Sequence, residues 1–123
     1  MKAVLLVALG GALGALSRWA VGSWVDGFTT GSKFPVGILA VNLIGCLVIG
    51  VVFGISENRQ WMTETARLSI LVGFLGSFTT FSTFGWNTFE LIRGGQALLA
   101  FANVLISVAG GLAAVWLGWI MAK

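Results

Sequence analysis

Long apolar runs separated by brief polar ones make up nearly the whole chain. Four runs stand out, covering residues 3–25, 34–55, 66–92 and 96–121. Each reaches the roughly 20 apolar residues that a helix needs to cross a bilayer. The pattern predicts an all-α chain with four transmembrane helices. The connections are short and polar. Residues 26–33 form a Gly/Thr/Ser loop, and Pro35 beyond it suits the first turn of a helix. Residues 56–65 carry Glu57, Arg59 and Glu64, and Gly94-Gly95 marks a tight stop. Such loops leave no room for a soluble catalytic domain, so residues 1–123 read as one transmembrane domain with both chain ends on the same side. The start, Lys2 followed by residues 3–9, imitates a secretory signal. Its apolar stretch outruns a normal h-region, however, and reads as a first membrane helix.

The third run departs from a plain hydrophobic span. Its 27 residues would make a helix about 40 Å long at roughly 1.5 Å per residue, against a hydrocarbon thickness of about 30 Å. Near its middle stands Gly76-Ser77-Phe78-Thr79-Thr80-Phe81-Ser82-Thr83-Phe84. Ser and Thr offer the backbone alternative hydrogen bonds, so this segment favours a helix broken at mid-membrane. The other reading is a continuous helix whose hydroxyls bond back to the preceding turn. Unwound backbone at that depth must be buried in protein or line a polar cavity, and its freed carbonyls would suit a small cation. Phe78, Phe81 and Phe84 recur every three residues. They form either ordinary core packing or a row of positively polarised ring edges along a narrow path for an anion.

Composition sharpens this picture. Apolar residues make up 58% of the chain and charged residues 9%, with mean hydropathy +1.00. That is too little charge to solvate a globular surface, since soluble domains carry about 25%. The seven basic residues are scattered, which gives nucleic acid nothing to bind. With no His and one cysteine, Cys46, an internal disulfide and a Cys/His metal site are excluded, and Cys46 reads as a small packing residue. Basic residues near the chain ends (Lys2, Arg59, Arg67, Lys123) almost balance those opposite (Lys33, Arg93 and Arg18). With so little bias to set orientation, either the chain inserts both ways and opposed copies pair about an in-plane two-fold axis, or it holds one weakly specified orientation. Small-xxx-small spacings at Gly10/Gly14 and Gly50/Gly54 allow close helix approach. Trp19, Trp24, Trp61, Trp116 and Trp119 fall near helix ends, as an interfacial belt does.

A few polar residues lie inside the apolar runs. Asn42 is either interhelical glue or a ligand group. Asn103 and Ser107, four apart, share a helix face and extend a polar track if both are used. Arg18 either snorkels to headgroups or supplies an attractive charge at an anion vestibule. Asp26, Glu57, Glu64 and Glu90 all lie in loops or near helix ends. A proton-coupled carrier therefore lacks its usual mid-membrane carboxylate, and a small multidrug transporter lacks the acid it needs in the first helix. An enzyme lacks His, paired carboxylates and any nucleophile–base pair. A non-transporting assembly subunit would be distinguished from a channel by ion flux in liposomes.

With these residues in place, the chain resembles the Fluc family of fluoride channels, also called CrcB-like proteins, over its whole length. The resemblance is carried by Gly10-Gly11-Ala12-Leu13-Gly14-Ala15 through Arg18, by Asn42-Leu43-Ile44-Gly45, and by Gly73-Phe74-Leu75-Gly76 through Thr79-Thr80-Phe81-Ser82-Thr83-Phe84. It implies passive fluoride efflux across the bacterial inner membrane by an antiparallel, dual-topology homodimer with two narrow pores. Gly76 and Thr79 of both subunits would hold a structural, untransported Na⁺ through main-chain carbonyls. Phe81 and Phe84 would be the pore phenylalanines, with Asn42, Ser82, Thr83 and Ser107 as polar pore groups and Arg18 in the vestibule. Many relatives carry Glu three residues after the last Phe, whereas this chain has Asn87.

Overall fold

In the computed structural model, residues 1–58 and 62–123 are described, Asn58 by its backbone alone; Arg59 and Trp61 of the second loop lie outside them. Among the described residues every regular element is helical. Four helices are long and apolar enough to span a bilayer: α1 (Lys2–Phe28), α2 (Val36–Asn58), α3 (Glu64–Arg93) and α4 (Ala97–Ala122). These match the four predicted spans, and the shifts at their ends have local causes. α1 runs past Asp26, whose carboxylate is used by the next helix: Asp26 Oδ1 accepts the Gly37 N–H at 2.8 Å. An acid is poorly placed at the C-terminus of its own helix and well placed at the N-terminus of another. α2 starts after Pro35, whose carbonyl accepts the Leu39 N–H at 3.1 Å.

α3 begins at a Thr63 cap, whose side chain accepts the Ala66 N–H at 3.2 Å. Residues Arg67–Leu75 then follow a wider π-helical course. Gly76–Phe78 is α-helical, Thr79 and Thr80 are extended (ψ 155° and 118°), and the helix restarts over Phe81–Arg93. The predicted break is present, at Thr79-Thr80 and three residues beyond the glycine. Gly76 itself is helical. α3 ends in a Schellman turn: Gln96 N–H donates to the Leu91 carbonyl at 2.8 Å and Gly95 N–H to that of Ile92 at 3.0 Å. Gly95 sits at φ +74°, a conformation that glycine adopts without Cβ strain. α4 carries a second, shorter π-helical stretch at Ile106–Gly110.

The helices pair by close backbone approach. α1 lies against the first half of α3, α2 against the last part of α4 and against α1, and the second half of α3 against the start of α4. Gly10 and Gly14 make the first contact possible, because a Cβ there would run into the carbonyls of Ser69 and Phe74. Gly50 and Gly118 play the same part between α2 and α4, facing the carbonyls of Val115 and Leu47. Both small-xxx-small motifs thus lie at helix contacts, as their spacing predicts. The buried apolar core is small, with Val41, Val52, Leu75, Phe78, Leu91 and Ala100 at its centre. Leu5, Leu9, Leu13 and Leu16 form an exposed ridge on α1, and Phe101, Leu105, Val108 and Leu112 continue the exposure on α4. Water is the wrong solvent for such a surface. The chain is a multi-pass membrane protein whose apolar faces meet lipid or another protein.

Candidate functional site

The two halves of α3 are held across their break by one side chain from α2. Asn42 Oδ1 accepts the Thr80 N–H at 2.9 Å, and Asn42 Nδ2 donates to the Thr80 carbonyl at 3.2 Å. The amide acts as a strand-like partner for an extended residue that no helix satisfies. Thr80 then caps the second half. Its Oγ1 accepts the Thr83 N–H at 3.3 Å, donates to Thr83 Oγ1 at 3.1 Å and lies 3.2 Å from Ser82 Oγ.

These bonds have a consequence for the carbonyls behind them. In a continuous helix the Thr80 N–H would close onto Gly76 and the Thr83 N–H onto Thr79. Both donors are diverted, one to Asn42 and one to the cap. Gly76 and Thr79 therefore present carbonyls without their helical partners.

A cavity of about 410 Å³ opens beside the break. Asn42, Gly76, Thr79, Phe81, Phe84 and Ser107 line it, with Gly45 and Cys46 on the α2 side. No charged residue is among its lining. Ser107 stands in the π-helical stretch of α4, and its hydroxyl oxygen is buried without a hydrogen-bond partner. A buried hydroxyl costs free energy when unpaired, so Ser107 holds an unused hydrogen-bonding group at this cavity. Cys46, read as a packing residue, is half-buried and also lines the cavity.

The aromatic pattern is split by the break. Phe78 is buried in the first half and stacks on Phe74 at 5.8 Å, so it belongs to the core. Phe81 and Phe84 lie in the second half with ring centroids 5.6 Å apart, tilted at 43°. Phe81 is 85% exposed, a large apolar ring uncovered at the middle of the fold. Ser82 and Thr83 belong to the cap, outside the lining of this cavity. Thr83 instead faces a polar groove with Asp26, Lys33 and Asn87 between the α1–α2 loop and α3. Arg18, half-buried on α1, lines neither.

Asn103 parts company with Ser107. It is 1% exposed, and its Nδ2 donates to Thr88 Oγ1 at 2.9 Å, away from the cavity. Two residues were not singled out by the sequence pattern. Thr80, the hub of the break, carried the signal of a hydroxyl residue just before a helical run. Thr88 carried none, because its partner lies 15 positions away.

Four membrane-spanning helices, the third broken beside a cavity lined by Asn42, Thr79, Phe81, Phe84 and Ser107 together with aliphatic residues and no charged one, define an integral membrane protein. The family is settled by comparison with known proteins. Residues 5–119 match the model of the CrcB-like protein, Camphor Resistance (CrcB) family, and the chain belongs to that family. Similar proteins include the fluoride-specific ion channel FluC of Geotalea uraniireducens (strain Rf4), 44% identical over all of this chain and 98% of its own. That of Pelobacter propionicus is 46% identical over all of this chain and 95% of its own. Fluoride-specific ion channel FluC 2 of Symbiobacterium thermophilum is 49% identical over 91% of this chain and 90% of its own. These relatives are bacterial, and they are named as ion channels rather than enzymes.

Proposed function

We propose that this chain is a subunit of a fluoride-selective channel through which fluoride leaves the cell passively. The observation that carries the reading is the cavity at the α3 break, where the unpartnered Ser107 hydroxyl, the Asn42 amide and the Phe81 and Phe84 rings converge without a charged residue. Fluoride is small and strongly hydrated, so a path for it needs dense donors that do not trap the ion. The donor inventory agrees. Thr79 Oγ1 is spent on the Leu75 carbonyl at 3.0 Å, and Thr80 Oγ1 on Thr83. Ser107 keeps its O–H, and Asn42 keeps the second N–H of its amide. Phe81 and Phe84 add positively polarised ring edges. An inside-negative potential supplies the outward drive, about 2.3 kcal/mol per charge per 100 mV, against fluoride that enters as membrane-permeant HF.

The channel we infer is an antiparallel, dual-topology homodimer. The near-balanced Lys/Arg distribution and the exposed apolar faces around Phe81 support this arrangement. A structural Na⁺ fits the same break. Among the described residues no group of His, Cys, Asp or Glu could hold a metal, whereas the Gly76 and Thr79 carbonyls are neutral oxygens suited to a hard monovalent cation. Gly76 and Thr79 of both subunits would hold it. When bound, it supplies positive potential between the two pores and fastens the unwound backbone. The test is fluoride against chloride efflux from proteoliposomes. Fluoride efflux with little chloride efflux is expected, and efflux of neither ion rejects the channel.

A further inference from the structure

The break makes the second half of α3 a separate piece. It touches α2 at few points and rests on the start of α4. Its rotation about its own axis decides where Phe81 and Phe84 sit. Apolar packing fixes such a rotation poorly in a membrane, because lipid tails offer the same contacts as leucine. A buried hydrogen bond fixes it well. One such bond joins the two elements: Asn103 Nδ2 donates to Thr88 Oγ1 at 2.9 Å. The Thr88 hydroxyl proton goes on to the carbonyl of Phe84 at 2.8 Å. The chain of bonds thus runs from α4 to the backbone of one of the two aromatic residues. With Asn103 1% exposed, its amide has no water to exchange for this partner.

We infer that Asn103 and Thr88 are positioning residues that set the rotation of the second half of α3, and through it the ring edges at the cavity. The inference rests on the reading of that cavity as the fluoride path. Asn42 holds the near end of this piece at Thr80, and the Asn103–Thr88 pair holds it one turn beyond Phe84. Together the two amides give a broken helix the stiffness that a continuous backbone would have supplied.

The experiment compares fluoride efflux and fluoride-over-chloride selectivity in proteoliposomes for Thr88→Val, Thr88→Ser, Asn103→Leu and the double variant Thr88→Val/Asn103→Leu. Valine keeps the shape of threonine and loses the hydroxyl; serine keeps the hydroxyl. Thr88→Val and Asn103→Leu are each expected to lose flux severalfold and to lose selectivity. The double variant should be no worse than either single one, because both remove the same bond. Thr88→Ser should stay near wild type. Full activity in Thr88→Val overturns the inference, as do equal losses in Thr88→Ser or losses that multiply in the double variant. Should a single variant fail to assemble, Asn103→Gln decides the matter: the amide on a longer arm lowers flux if position matters, and normal flux overturns the idea. A wild-type protein that passes no fluoride overturns the functional reading and this inference with it. Wild-type flux beside an unaffected Thr88→Val overturns this inference alone.

Discussion

Asn42 shows how much one side chain does when a helix is interrupted in a membrane. It satisfies both backbone groups of Thr80 and still keeps one N–H. The same accounting singles out Ser107, whose oxygen is buried and unpaired. Ser107→Ala removes the orphan without changing the π-helical turn. It should lower fluoride efflux while raising thermal stability slightly or leaving it unchanged, since the desolvation cost of the hydroxyl disappears. A clear loss of stability in a detergent melt would mean that the hydroxyl has a structural partner. Phe84→Ile and Phe81→Ile keep apolar bulk and lose the polarised edge. Efflux should fall sharply in both while size-exclusion profiles stay normal. Normal flux in both variants would rule out ring edges as the groups that receive the ion. At this scale the sequence singled out Asn42, Gly76, Thr79, Phe81, Phe84 and Ser107, which line the cavity, along with Ser82, Thr83 and Arg18, which do not. Of the two readings left open for Phe78, Phe81 and Phe84, core packing holds for Phe78, and the break separates it from the other two rings.

Between elements, the energetics rest on backbone contact. α1 and α3 meet where Gly10 and Gly14 leave no side chain, and α3 is π-helical over the same stretch. A methyl at Gly14 would meet the Phe74 carbonyl, which is backbone and cannot swing aside. Gly14→Ala should therefore destabilise the protein by about 1–3 kcal/mol, the usual cost of overpacking, and Gly50→Ala should do the same between α2 and α4. Gly11→Ala is the control, because the nearest atom to its Cβ is the movable Ser77 hydroxyl at 3.2 Å. Reversible unfolding in mixed micelles measures all three, and a cost at Gly11 equal to that at Gly14 would contradict the packing account. The helices, their lengths and the glycine contacts were legible from composition and spacing. The π-helical stretches were not, since a widened turn answers to the neighbour it packs against rather than to any residue pattern.

For the whole molecule, the inside-out surface raises the question of what covers it. Lipid suffices for the leucine ridge of α1. Phe81 and Gly76, exposed beside the polar break, would be covered by the second copy in the proposed dimer. Within one protomer a Cβ at Gly76 would meet nothing closer than the Leu71 carbonyl at 3.5 Å. Gly76→Val should therefore spare the fold of the protomer, by circular dichroism, and weaken dimerisation and flux. A dimeric, conducting Gly76→Val protein would remove Gly76 from the interface. The proposed dual topology makes a separate demand: reporters fused after Lys123 should appear on both sides of the membrane in comparable amounts. A single-sided result would exclude opposed subunits.

Hydrophobic run length by itself determined the membrane class and the four spans, because crossing a bilayer is a matter of length and polarity. Glycine spacing determined where helices touch, and the Gly-Ser-Phe-Thr-Thr-Phe-Ser-Thr-Phe segment marked the region of the break. Only the tertiary structure decided that the break falls at Thr79-Thr80, that Asn42 fastens it, and that Asn103 bonds to Thr88 while Ser107, one turn on along α4, lines the cavity with its hydroxyl unpaired. Those facts depend on which backbone donor is left without a helical acceptor and which polar side chain of another helix lies within reach. No local pattern encodes either, because both are settled by residues far apart in the chain competing for the same few hydrogen bonds where water is absent.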